Sequence, residues 1–161
     1  LITVISYFQA MNKEKLISRL QTAFRWILAL ALVLAGVLKV YDNTSLFETV
    51  AYIWWLPVWM KSLVVDFLPW VEILIGVLLV AKWQPKVINS LVLLIFLGFF
   101  AFAVYGTATG MEGDCGCFGG LVDSSFGWQL ITRNAIFTMM AGFLFWDYRE
   151  TTDVVENEAE Q

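Results

Sequence analysis

Four long apolar stretches, at 22–40, 63–81, 87–105 and 128–146, dominate the chain, with short polar clusters between them. Each has the roughly 20 residues that an α-helix needs to cross a hydrocarbon layer of about 30 Å. None shows the period-two alternation of a barrel strand. The pattern predicts an all-α integral membrane protein, a four-helix bundle. In the first stretch Arg25 and Lys39 lie near the two ends, where long stems can carry their charges to the headgroups. The second has Pro69 near its outer end and closes at Lys82, the third carries no charge between Lys86 and Glu112, and the fourth is interrupted by Arg133.

The polar clusters give the orientation, because short loops rich in Lys and Arg stay cytoplasmic. Lys13, Lys15, Arg19 and Arg25 precede the first span, Lys82 and Lys86 fill the turn between the second and third, and Arg149 follows the fourth. The 105–127 connection has no Lys or Arg, and 41–62 adds only Lys61. Both termini are therefore expected inside and both longer loops outside, in the inner membrane of a bacterium, with the cysteine loop on the periplasmic side. This divides the chain into a cytoplasmic segment at 1–21, a transmembrane domain at 22–147 and an acidic cytoplasmic tail at 148–161. The first outer loop holds Tyr52, Trp54, Trp55 and Trp59 around Pro57. It reads as a short interfacial helix or as a loop folded over the bundle mouth, and either would form a lid over the outer end.

Composition agrees with lipid as the solvent: of 161 residues 60% are hydrophobic and only 15% charged, where a soluble domain uses about a quarter. The chain opens at Leu1. The run from Trp26 to Leu38 leads to a lysine without an obvious small-residue cleavage site, which favours a retained signal anchor. Met11, ahead of Asn12, Lys13, Glu14 and Lys15, would also suit a start. The net charge of −4 comes mainly from the acidic tail, which identifies no partner; no nucleic-acid partner is expected. Histidine is absent, which removes the commonest metal ligand and the usual general base near neutral pH.

The chain has two cysteines, Cys115 and Cys117, flanking Gly116 in the second outer loop beside Asp114. An outer compartment permits disulfides. Closing so small a ring needs a sharp backbone turn, which Gly116 allows through positive φ. A bond held in strained geometry is easily reduced, so the pair suits passing electrons, with a sulfur exposed to its partner. A static disulfide or thiol pair that shapes a glycine-rich turn is an equal reading. No metal site is expected, since two thiolates lack a third cysteine or a histidine. Lys39, Glu72, Arg133 and Asn134 fall at similar depth on the same outer side. Glu72 is expected to pair with Lys39 or Arg133, because ionisable groups within spans are costly alone. Positive charge beneath the cysteines would raise the thiolate fraction; snorkelling at the interface is the structural alternative.

Together these residues resemble the MauE/DoxX family of redox-associated membrane proteins. The resemblance lies in the run from Gly36 to Asp42 around Lys39, the run from Leu68 to Gly76 around Pro69 and Glu72, Cys115-Gly116-Cys117-Phe118-Gly119, and Arg133-Asn134. It covers nearly the whole span region in order and leaves out the tails. It implies a four-helix membrane bundle that helps make or maintain disulfides in proteins outside the cytoplasm. In general architecture the family is similar to vitamin K epoxide reductase and other quinone-linked disulfide-forming proteins, which leaves a quinone open as cofactor. Those relays use two cysteine pairs, and this chain has one, so a thioredoxin-like partner would supply the second or the single pair would serve both donor and acceptor.

Two functions follow as expectations. One is a thiol–disulfide oxidoreductase working through Cys115 and Cys117 on an extracytoplasmic thiol or disulfide protein, with Lys39, Glu72, Arg133, Asn134 and Asp114 as supporting polar groups. The other is an accessory subunit of a larger membrane complex, respiratory or photosynthetic, with a non-catalytic cysteine pair. A transporter fits least, since the charges lie near one face rather than at the midplane.

Overall fold

The protein is described by a computed structural model that covers residues 2–111, 115–117 and 125–159, with side chains over 15–111, 115–117 and 125–146. Its elements are helices: α1 (Ile2–Tyr41), α2 (Thr44–Ala51), α3 (Val58–Val80), α4 (Pro85–Ala108) and α5 (Trp128–Ala159). Three prolines punctuate them. No proline precedes Pro57, and α1 runs unbroken for 40 residues. Pro57, extended at φ −63° and ψ 149°, sets the start of α3 at Val58, ahead of the expected 63. Pro85 stands in the first turn of α4, where its missing N–H is no loss. Pro69 lies inside α3, an interior position that membrane helices tolerate when neighbouring helices re-satisfy the backbone.

Among the described residues three segments are long and apolar enough to cross a membrane: Lys15–Tyr41, Val58–Val80 and Pro85–Ala108. The first three predicted spans fall almost entirely inside them. The fourth predicted stretch is helical, as the start of α5, but α5 is not among the apolar spans. Gln129, Arg133 and Asn134 in its first turns hold its hydropathy down. The fold is thus all-α with three apolar spans and a fourth long helix of mixed character.

The long helices pack mainly as two antiparallel pairs, α1 with α3 and α4 with α5. Small residues bring the first pair together. A Cβ on Gly36 would stand 2.6 Å from the Pro69 carbonyl oxygen, and one on Gly76 would stand 3.0 Å from that of Ala29, the close approach that small residues permit between membrane helices. In the second pair Asn89 Nδ2 donates to the Leu144 carbonyl at 3.2 Å, and Thr138 Oγ1 to the Phe96 carbonyl at 3.1 Å. A shared core of Leu28, Leu32, Leu79, Val92, Phe96 and Leu144 joins all four.

The aromatic residues of the first outer loop point outward: Tyr52, Trp54, Trp55 and Trp59 are exposed, as is Trp128 at the start of α5. Trp83 and Trp146 are exposed at the opposite end. Two such sets of rings match the two interfaces of a bilayer.

Candidate functional site

Lys39 ends the inner face of α1 and Glu72 lies on the facing side of α3. Gly36 and Pro69, each three residues earlier in the chain, draw the two helices close enough for the side chains to meet. Lys39 Nζ donates to Glu72 Oε1 in an ion pair whose members are 1% and 0% exposed. The ammonium also lies 5.0 Å from the centroid of the Phe99 ring on α4, within cation–π range. Lys39 therefore does not snorkel to the headgroups: a buried carboxylate and an aromatic face turn it inward. Of the two partners expected for Glu72, the structure supplies Lys39. Glu72 Oε2 has no hydrogen-bond partner among the described residues.

Cys115 and Cys117 are paired with each other, Cα atoms 5.3 Å apart, within the range of about 4.4–6.8 Å that a disulfide takes. Gly116 has a φ of +63°, the left-handed turn expected of it. Its missing side chain matters twice, since a Cβ there would lie 2.7 Å from the backbone N and Cα of Leu46 in α2. The loop position predicts an exposed sulfur, whereas Cys115 is 2% and Cys117 7% exposed. The difference has a physical cause: α2 lies directly over Gly116, and Ala103 of α4 and Leu130 of α5 pack against the pair.

Three cavities meet near these residues. The first, about 170 Å³, has Cys115, Gly116 and Cys117 on one side, Phe99 and Phe102 of α4 on another, Val64 and Leu68 of α3 on a third, Leu46 and Val50 of α2 above, and Lys39 as its one charged residue. The second is a cleft of about 290 Å³ lined by Lys39, Asn43, Asp66, Pro69 and Trp70 among others. Lys39 thus forms part of the wall of both. The third, only about 10 Å³, has Cys117, Asn134, Ala35 and Phe137 in its walls.

Lys39, Glu72, Cys115, Cys117 and Asn134 therefore converge. Asn134 is buried, its Nδ2 donating to the Leu130 carbonyl at 3.0 Å. Arg133 is half-buried on α5 and lines none of the three cavities. Asp114 lies outside the described residues. Sequence reasoning passed over Leu46, Phe99, Phe102 and Asp66. Leu46, Thr49, Val50 and Ile53 do recur at helical spacing, a signal for α2 as an amphipathic cover. Nothing distinguishes Phe99 from its neighbours in an apolar span.

α2 is held at both ends by polar contacts. Asp42 Oδ1 accepts the Thr44 N–H at 3.0 Å, and Lys61 Nζ donates to the Ala51 carbonyl at 2.9 Å. The Thr44 side chain first, and its backbone N–H second, hold the Asp42 carboxyl below the usual carboxylate range.

A cysteine pair set among apolar, membrane-length helices, with a buried lysine in the wall of the adjoining cavity, marks a class of membrane protein built around a paired-cysteine site. The chain matches the family described as methylamine utilisation protein MauE over residues 17–147, and it belongs to that family. No curated protein and no solved structure matches it.

Proposed function

We propose that the protein is a membrane-embedded thiol–disulfide redox protein that supports disulfide formation or maintenance in extracytoplasmic proteins through Cys115 and Cys117. The observation that carries this reading is the pairing of the two cysteines beside a cavity whose one charged residue is Lys39. Lys39 and the pair share the walls of one cavity, and positive charge close to a thiol favours the thiolate, the form that attacks a disulfide and that leaves when one is opened. A partner thiolate attacks one sulfur, a mixed disulfide forms and the other sulfur departs; the partner's second thiol then closes its own disulfide and leaves both cysteines reduced. In this reading α5 is the fourth crossing helix, the loop carrying Cys115 and Cys117 and the α2 segment lie outside, and both termini lie inside, following the distribution of Lys and Arg. Because the pair is covered, α2 swings away from Gly116 when a partner engages.

The test is to trap the mixed disulfide. Cys115→Ser and Cys117→Ser, each made alone, leave a single sulfur, and at least one of these variants is expected to carry a covalently attached, reductant-releasable extracytoplasmic protein. Absence of any adduct from both variants in native membranes, with both proteins folded, contradicts the reading. The burial of both sulfurs favours a second reading, an accessory subunit with a static cysteine pair. There the double Cys115→Ser/Cys117→Ser variant would copurify with its complex in unchanged ratio and support full activity.

A further inference from the structure

Cys115 and Cys117 share a bond but not an environment. The left-handed turn at Gly116 folds the chain back on itself, so that the backbone N–H of Cys117 donates to Cys115 Sγ at 3.2 Å. Cys117 Sγ has the opposite kind of neighbour. It lies 3.8 Å from the Cys115 carbonyl oxygen, toward which it can only donate, as a thiol. Asn134, which borders the smallest cavity together with Cys117, donates to the Leu130 carbonyl. Lys39 stands in the wall of a cavity that both cysteines border, so its charge does not choose between them. Access differs in a matching sense: Cys115 borders one of the three cavities and is 2% exposed, whereas Cys117 borders two and is 7% exposed.

A disulfide opens when a thiolate attacks one sulfur and the other departs with the electron pair of the bond, and the sulfur that carries negative charge better is the better leaving group. A donor already aimed at the atom where charge develops stabilises it without reorganisation, and a hydrogen bond strengthens when its acceptor is ionised. The negative end of a carbonyl opposes charge on the sulfur it faces. We infer that the two cysteines have fixed and different parts: Cys117 is the sulfur that a partner attacks and holds in the mixed disulfide, and Cys115 is the sulfur that leaves as a thiolate, received by the Cys117 N–H. This inference rests on the redox reading above and assigns its two sulfurs. In the forward step a partner thiolate bonds to Cys117 Sγ and the Cys115–Cys117 bond breaks toward Cys115. The partner's second thiolate then bonds to the partner's first sulfur and releases Cys117, which takes up a proton facing the Cys115 carbonyl. Two electrons and two protons pass from the partner dithiol to the pair. In reverse, the Cys115 thiolate is the group that resolves the mixed disulfide on Cys117.

The experiment mixes the purified full-length protein, oxidised and in lipid nanodiscs, with an excess of a synthetic peptide that carries one cysteine and so cannot close a disulfide of its own. Acid quenches the exchange, the freed thiol is blocked, and fragment-ion mass spectrometry reads which sulfur holds the peptide. The expected result is peptide on Cys117 in about tenfold or greater excess over Cys115. Equal amounts, or an excess on Cys115, overturn the inference. A second measurement decides where the covered pair yields no peptide adduct: the rate at which methyl methanethiosulfonate modifies each reduced single variant, followed against pH, where the midpoint reports thiolate formation rather than access. Cys115 in the Cys117→Ser variant, which keeps the backbone N–H, should have its midpoint at lower pH than Cys117 in Cys115→Ser; coincident or reversed midpoints overturn the inference. Its fate is separable from that of the redox reading. Ordered midpoints without any mixed disulfide in native membranes keep the assignment and remove the exchange role, and a mixed disulfide held on Cys115 does the reverse.

Discussion

The α1–α3 seam and the cover that α2 makes over the cysteines lie side by side and are built on opposite terms. In the seam, Gly36 and Gly76 bring the two helices into close backbone approach, and Lys39 and Glu72 are locked together out of water. The cover is one eight-residue helix, held by Leu46 and Val50 below and by the polar contacts of Asp42 and Lys61 at its ends. Isolated helices of that length are marginal. On the proposed redox reading the contrast separates two tasks: a charge held in one place near the sulfurs, and a cover that hides them at rest and lets a partner reach them in use.

The comparison breaks most sharply at the ion pair. Lys39→Met or Glu72→Leu alone strands a buried charge and is expected to cost about 3–5 kcal/mol, while the double variant recovers most of that loss. Unfolding midpoints in mild detergent check this, and equal losses in single and double variants would mean the pair is not a unit. Gly36→Val, which pushes α1 off Pro69 and Ile73, should cost about 1–3 kcal/mol by overpacking, read in the same assay. On the cover side the readout is the rate at which a membrane-impermeant maleimide labels the reduced pair. Leu46→Ala, which cuts the apolar contact, is expected to raise it by about tenfold or more, with the unfolding midpoint moving less than for Gly36→Val. Lys61→Met, losing one exposed hydrogen bond to Ala51, should raise it by only a few-fold, on the order of 1 kcal/mol.

The smallest effect concerns pH. Asp42 has its carboxyl held low by Thr44, so its contribution to α2 is present above the ordinary carboxylate range and lost as pH falls through the lowered value. At neutral pH Asp42→Ala should label somewhat faster than the wild type. The ratio of the two rates, in which the thiol's own pH dependence cancels, should approach one in acid; a ratio independent of pH would remove Asp42 from the account.

Much of this was legible in the residues. Three apolar spans follow from hydropathy alone, and Glu72 within one of them demanded a cation, which Lys39 supplies. Gly116 between two cysteines demanded a left-handed turn. What escaped depends on packing in three dimensions. The loop position of Cys115 and Cys117 says nothing of α2 lying across Gly116, so burial of the sulfurs was not readable. Lys39 near a span end has the pattern of a snorkelling residue, and only the meeting of α1, α3 and α4 shows why it turns inward. The polar first turns of α5 lower the one signal by which a fourth span is recognised, although the helix itself is present.

The most direct test of a covered, reactive pair is to count the thiols that an impermeant maleimide modifies in native membranes as isolated, after mild reduction with a dithiol, and after washing the reductant away in air. The account predicts none at first, both Cys115 and Cys117 after reduction, and a return to none as the pair closes again. A pair that stays unmodified after reduction, although denaturation reveals two free thiols, would contradict it.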